Sequence, residues 1–227
     1  MRSYPKSIIF DLDGTLIDSV PAIRKTLNNI FSSEAGGELA IDEVKTLVGF
    51  GAKWMIAEVI KRKNIATSPN KFDELMARYY EEYLQVSDQF TEVYDGVVDV
   101  LNDLKKLKIK MGVCTNKPGT TTLAVLESLQ LSKFFDAIVT EDDVEHRKPD
   151  PRHLFHTIKA IDSDPLDTVF VGDSETDMET ARRAGVKSIF VTYGYCHVPF
   201  SEIRAAQFIE HFCDLPEALA KTMRQNP

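Results

Sequence analysis

The sequence predicts an α/β fold: a Rossmann-like parallel sheet with helices on both faces, plus a small all-helical segment inserted after the first strand. Three observations predict it. Short apolar runs rich in β-branched and aromatic residues, such as Ile8-Ile9-Phe10 and Val169-Phe170-Val171, read as strands buried on both faces. From residue 97 onward such runs alternate with amphipathic stretches, the pattern of right-handed βαβ units. Between about 18 and 88 only helical periodicity is found. The expected division is residues 1–17 and 89–227 as an α/β core and 18–88 as a helical block.

The elements follow in order. The first strand ends at Phe10 and opens into Asp11-Leu12-Asp13-Gly14-Thr15. Asp18-Ser19 before Pro21 marks a helix start, with the helix over 22–31. Residues 32–38, with Gly36-Gly37, form a loop. Helical spacing covers 41–48 and 53–63, separated by the turn Val48-Gly49-Phe50-Gly51-Ala52. Ser68-Pro69 opens a helix to about 86, with Phe72, Leu75, Met76, Tyr79 and Tyr83 on one face. A turn at Asp95-Gly96 leads into a helix over 97–107. The second core strand, 110–114, ends in Thr115-Asn116, where Asn116 is placed to cap the helix that Pro118 begins and that runs through 129. The third strand covers 137–140; an acidic stretch and Lys148-Pro149-Asp150-Pro151 then precede a helix over about 152–160. The fourth strand, 168–171, ends in Gly172-Asp173-Ser174, and Thr176 with Glu179 reads as a capping box for a helix that Gly185 terminates. A fifth strand at 188–191, a short sixth at 207–209 and a helix over 215–223 complete the chain.

Bulk properties narrow the function. Net charge is -8, and no basic run exceeds Lys61-Arg62-Lys63, which argues against nucleic acid or an anionic membrane as partner. Three cysteines, Cys114, Cys196 and Cys213, make no disulfide framework and suit a reducing, cytoplasmic compartment. No stretch reaches the apolar length of a membrane span, and residues 1–6 are followed by too short an apolar run for a signal peptide.

In open α/β sheets ligands bind beyond the carboxyl ends of the strands. There the sequence places Asp11 and Asp13, then Thr115 and Asn116, then Asp173 with Asp177 four residues on; Lys148 follows the third strand. Aspartates at the mouth of a buried strand need partners, so Asp11 and Asp13 are metal ligands, catalytic groups or both. Each residue also has an ordinary reading: a turn, a cap, a helix-initiating carboxylate, a solvated lysine. All of them meeting on one rim points instead to one site. Four neighbouring carboxylates need cations. Lys148 supplies one positive charge and a divalent ion two, and an oxygen-only ligand set suits Mg²⁺.

These motifs, Asp11-x-Asp13-Gly14-Thr15, Thr115-Asn116, Lys148-Pro149 and Gly172-Asp173-x-x-x-Asp177, resemble in order the four motifs of the haloacid dehalogenase superfamily, and the helical block resembles the small cap of one branch. Within that superfamily the chain is similar to the phosphoglycolate phosphatase group. The resemblance implies a phosphatase acting on a small phosphorylated metabolite. Asp11 is then the nucleophile and Asp13 the acid–base, with Thr115, Asn116 and Lys148 on the phosphate. Mg²⁺ falls on Asp11, the Asp13 carbonyl and Asp173, supported by Asp177, Ser174 and Gly14. In the cap, Gly49 and Gly51 would let backbone amides approach a ligand, and Lys53 is the candidate for a substrate carboxylate; the plainer readings are an interhelical turn and a solvated lysine. His153 and His156 read as helix-surface residues, and Trp54 as packing within the cap. Halide needs no proton to leave, so the acid at Asp13 argues against a dehalogenase. A sugar-phosphate mutase, a pyrophosphatase or nucleotidase, and a non-catalytic binding protein are the other readings.

Overall fold

The computed structural model describes residues 4–31 and 37–224. The expected loop therefore falls outside the described residues over 32–36, as does the N-terminal reading over 1–3. Six parallel strands form one sheet: β1 (Ser7–Phe10), β4 (Lys110–Cys114), β5 (Ala137–Val139), β6 (Thr168–Gly172), β7 (Lys187–Val191) and β8 (Gln207–Ile209). Their spatial order is β5-β4-β1-β6-β7-β8. β1 is thus central, with Ile8 opposite Met111 on one side and Val169 on the other. The chain runs outward from β1 to β5 and then resumes on β1's other side, which opens a crevice at its C-terminal end.

β1 shows why a continuous apolar run is required. Successive side chains point to opposite faces of a strand. Ile8 and Phe10 pack with α5 (Val97–Lys106), α6 (Gly119–Ser128) and α9 (Leu215–Arg224), while Ile9 packs with α7 (Pro151–Ala160) and α8 (Glu175–Ala184). All three are fully buried, each contributing roughly 1.5–3 kcal/mol.

A separate apolar cluster joins α1 (Val20–Phe31), α2 (Ile41–Lys45), α3 (Ala52–Arg62) and α4 (Pro69–Phe90). Leu27, Ile56, Leu75 and Tyr83 are buried in it, and Trp54 packs on its margin against the Phe50 ring, 4.5 Å away. Ser68 Oγ accepts from the Lys71 N–H at the start of α4. That helix runs to Phe90 rather than 86, because no glycine or proline interrupts the chain before Gly96.

Several expectations are corrected. The two crossings into the helical block carry short strands, β2 (Ile17–Asp18) and β3 (Glu92–Val93), paired antiparallel. Two residues are too few to show a period. α2 stops at Lys45, and Leu47 and Val48 are buried in the loop beyond it. The capping box of α8 is Ser174 with Asp177, not Thr176 with Glu179; Glu179 instead pairs with Arg182 and Arg183. His153 is buried between α7 and the sheet, with Nε2 3.4 Å from the Val139 carbonyl, whereas His156 is exposed as expected. Among the described residues no helix is long and apolar enough to cross a membrane, and the three cysteines are unpaired.

Candidate active site

β1 delivers its carboxylates with a defined geometry. The Asp11 N–H still donates to the Val171 carbonyl at 2.9 Å, so Asp11 is held as the last rung of the sheet and is only 7% exposed. The chain then turns: the N–H groups of Thr15, Leu16 and Ile17 converge on the Leu12 carbonyl at 3.2, 2.9 and 3.2 Å. Gly14 makes this possible at φ +87°, where any Cβ would overlap the Asp173 carboxylate.

Three carboxylates meet beyond the strand ends. Asp11, Asp173 and Asp177 each offer an oxygen, and these lie within 4.8 Å of one another. Lys148 Nζ stands 2.8 Å from Asp11 Oδ1 and 2.7 Å from Asp177 Oδ1. Asp173 accepts from the Thr15 hydroxyl at 2.8 Å and the Tyr195 N–H at 2.7 Å. Asp177 accepts from the Ser174 hydroxyl at 2.6 Å and the Ser174 N–H at 3.1 Å.

Charge is out of balance here. Burial pushes Asp11 up to about 7, with Asp177's charge adding to it and Lys148 opposing it. Burial, then Asp177 and Asp11, hold Asp173 well above the usual carboxylate range. Three acids against one ammonium, all with oxygen donors, make a set that a small hard dication fits; Mg²⁺ suits it by donor chemistry.

The phosphate-side residues are brought to the same rim. Thr115 is 2% exposed, and its hydroxyl accepts from the Lys117 N–H at 3.1 Å. Asn116 is not a helix cap. Its carboxamide accepts from the Lys148 N–H and donates to the carbonyls of Lys148 and Gly49, all at 3.0 Å. It thereby stitches the Lys148 loop and the 48–52 turn to the end of β4. Gly51 has φ +83°, and a Cβ there would come 2.6 Å from Glu141 Oε2.

A cavity of about 40 Å³ lies over Asp11, Asp13 and Thr115, roofed from the helical block by Val48, Gly49, Gly51 and Met55. Lys53 does not line it. Ala52 and Met55 face inward, and Lys53, one step round the helix from Ala52, is exposed. The cation found in the cavity wall is Lys117, which the sequence reading passed over. Its Nζ lies 3.2 and 3.3 Å from the Asp13 carboxylate oxygens and 4.3 Å above the Tyr83 ring. Its adjacency to Thr115-Asn116 was a usable signal, but a loop lysine ordinarily reads as solvated. Tyr195 follows the fifth core strand, β7. Its hydroxyl donates to Asp18 Oδ1 at 2.6 Å and accepts from the Ser19 N–H at 3.1 Å, tying the entry to the helical block to the Asp173 loop. Cys114 is inert by comparison, its thiol pushed up to about 12 by burial.

The model of haloacid dehalogenase-like hydrolases matches residues 8–191. The chain belongs to that family. This hydrolase is 34% identical over 222 residues to the phosphoglycolate phosphatase of Caulobacter vibrioides, covering 97% of this chain and 93% of the relative. It is 35% identical over 221 residues to the phosphoglycolate phosphatase of Agrobacterium fabrum, covering 96% and 95%. In fold it is similar to the crystal structure of a predicted phosphoglycolate phosphatase from Haemophilus somnus, with TM-score 0.90 at 23% identity over 96% of this chain and 99% of that one. The family resemblance carried by the four motifs is borne out.

Proposed function

We propose that this hydrolase releases phosphate from a small phosphate monoester through an aspartyl-phosphate on Asp11, with a preference like that of its phosphoglycolate phosphatase relatives. One observation carries the reading: Asp11, Asp173 and Asp177 lie buried together, with Lys148 between Asp11 and Asp177 and Asp11 lining a cavity of about 40 Å³. On a scale where ~10–15 Å³ holds one water, that cavity suits a leaving group of a few heavy atoms.

An Asp11 carboxylate oxygen attacks phosphorus, the ester P–O bond breaks, and the departing oxygen takes the proton of Asp13. Asp13 then takes a proton from water, whose oxygen attacks the phosphorus and returns Asp11 as a carboxylate. The Thr115 hydroxyl and the Asn116 N–H orient the phosphoryl oxygens, and Lys148 offsets the charge of Asp11 throughout. Asp11, Asp173 and the Asp13 carbonyl would hold Mg²⁺, which supplies positive charge to the phosphoryl oxygens. Residues 18–88 act as a cap that excludes water, hinged near 19–21 and 89–94. A cytoplasmic location belongs to the same reading and rests on the three free thiols.

Phosphate release with Mg²⁺ over a panel of 2-phosphoglycolate, other small esters, hexose phosphates, nucleoside monophosphates and pyrophosphate tests this. Highest kcat/KM on a short carboxylated ester is expected. Release from no ester would overturn the reading, and hexose phosphate interconversion without release would turn it to a mutase.

A further inference from the structure

Two buried lysines serve the site, and their surroundings differ. Lys148 is committed on both sides, to Asp11 and Asp177 at 2.8 and 2.7 Å. Lys117 lines the cavity, and among the described residues it is the cationic side chain that does so. Its bonds to Asp13, at 3.2 and 3.3 Å, are longer than the ~2.7–2.9 Å of a well-made charged hydrogen bond. Its side chain is nonetheless only 4% exposed. A buried ammonium is costly to maintain, and this one keeps capacity for a further anion.

Among the described residues, the side chains of the roof carry no cation. Ile23, Leu47, Val48 and Met55 of the roof are apolar, and Lys53 faces solvent. The Lys117 backbone is also fixed in place: its N–H bonds to the Thr115 hydroxyl at the end of β4, while its ammonium rests 4.3 Å above the Tyr83 ring of α4. Its contact with Asp13 holds the ammonium beside the group that would protonate the leaving oxygen. An anion meeting Lys117 from the cavity is therefore held on the leaving-group side of Asp13.

Resting on the phosphatase reading above, we propose that Lys117 determines specificity by pairing with a carboxylate carried next to the ester oxygen, so that the substrate is a short phosphorylated hydroxy acid. Recognition of charge then comes from the core and the limit on size from the helical roof.

The test is kcat/KM for 2-phosphoglycolate and for 2-hydroxyethyl phosphate, which carries a neutral hydroxymethyl in place of the carboxylate. Both are measured in the wild type, Lys117→Met and Lys117→Arg. The preference for 2-phosphoglycolate falls about 10–100-fold in Lys117→Met, mainly through KM, and is partly restored in Lys117→Arg. Lys117→Gln, which keeps a donor toward Asp13 without the charge, lowers the same ratio and carries the test if the methionine variant does not fold. An equal loss on both esters, or an unchanged ratio, overturns the assignment and leaves Lys117 as a support for Asp13. A wild type that releases phosphate from neither ester overturns the phosphatase reading itself, and this assignment with it.

Discussion

Lys148 places its ammonium 2.8 Å from the Asp11 carboxylate with its side chain 2% exposed, so this acid and its counter-charge are buried as a unit. Asp177, 2.7 Å away on the other side, shares the same cation. Lys148→Met leaves Asp11 and Asp177 without their shared ammonium. Breaking a buried pair from one side costs roughly 3–5 kcal/mol. Urea denaturation of the metal-free protein should register a loss of that order. Phosphate release from 2-phosphoglycolate should drop by about 10²-fold or more, as for removal of a preorganised charge. A variant as stable and as active as the wild type would remove Lys148 from the site.

Metal binding is separable from turnover. With Mg²⁺ at about 100 times its Kd the wild type should gain ~2.7 kcal/mol, and a chain of this size gains roughly 2–4 °C in Tm per kcal/mol. Asp173→Asn keeps an oxygen to accept from the Tyr195 N–H and an amide that can donate to the Thr15 hydroxyl in place of the bond it accepted, while removing the charge. Its Tm should respond little to Mg²⁺. An equal shift in both proteins would place the metal elsewhere.

Gly14→Ala tests the turn by which the chain leaves Asp13. The new Cβ meets the Asp173 carboxylate, and φ +87° is unfavourable for alanine, so two costs add. A loss of about 2–4 kcal/mol in urea denaturation is expected, with weakened Mg²⁺ binding because Asp173 must move.

Much of this was legible because it is local. The run Ile8-Ile9-Phe10 followed by Asp11 carries both the strand and the carboxylate that ends it, and the sheet presents both as expected. What escaped depends on contacts between residues far apart in the chain. Lys117 is buried by Tyr83 of α4, 34 positions earlier, so nothing in its neighbours marks it as enclosed. Asn116 has the composition of a cap, yet its carboxamide is claimed by Lys148 and Gly49. His153 shares the inward face of α7 with Leu154, Thr157 and Ile158, and burial, reinforced by Lys148, lowers it to about 4 and keeps it neutral. The capping pair was misplaced by two residues because Ser174/Asp177 and Thr176/Glu179 have the same spacing.

The helical block is latched by a titratable contact. His197 Nδ1 is 2.9 Å from Glu175 Oε1, and Nε2 is 3.2 Å from the Lys45 carbonyl at the end of α2. Burial opposes charge on both groups. Even so, bonds from His197 hold Glu175 down at about 2, and Glu175 raises His197 above its ordinary 6.5. A raised histidine stabilises fully below its unfolded pKa and loses that contribution as pH climbs through its folded value. Glu175, depressed, would lose its share only as pH falls from 4.5 toward 2. Between pH 6 and 8.5 the wild type should therefore lose about 1 kcal/mol that His197→Gln does not, read as the difference in urea midpoints. Parallel profiles would deny the latch its charge.

The central claim is that Asp11 is the nucleophile of a phosphatase. Asp11→Asn keeps the size of the side chain and its place at the end of β1, so loss of turnover would report chemistry and not folding, with the melting curve as control. With Mg²⁺ and 2-phosphoglycolate, kcat should fall by about 10⁴-fold or more, the scale of losing a nucleophile. A folded Asp11→Asn enzyme turning over within about tenfold of the wild type would contradict the account.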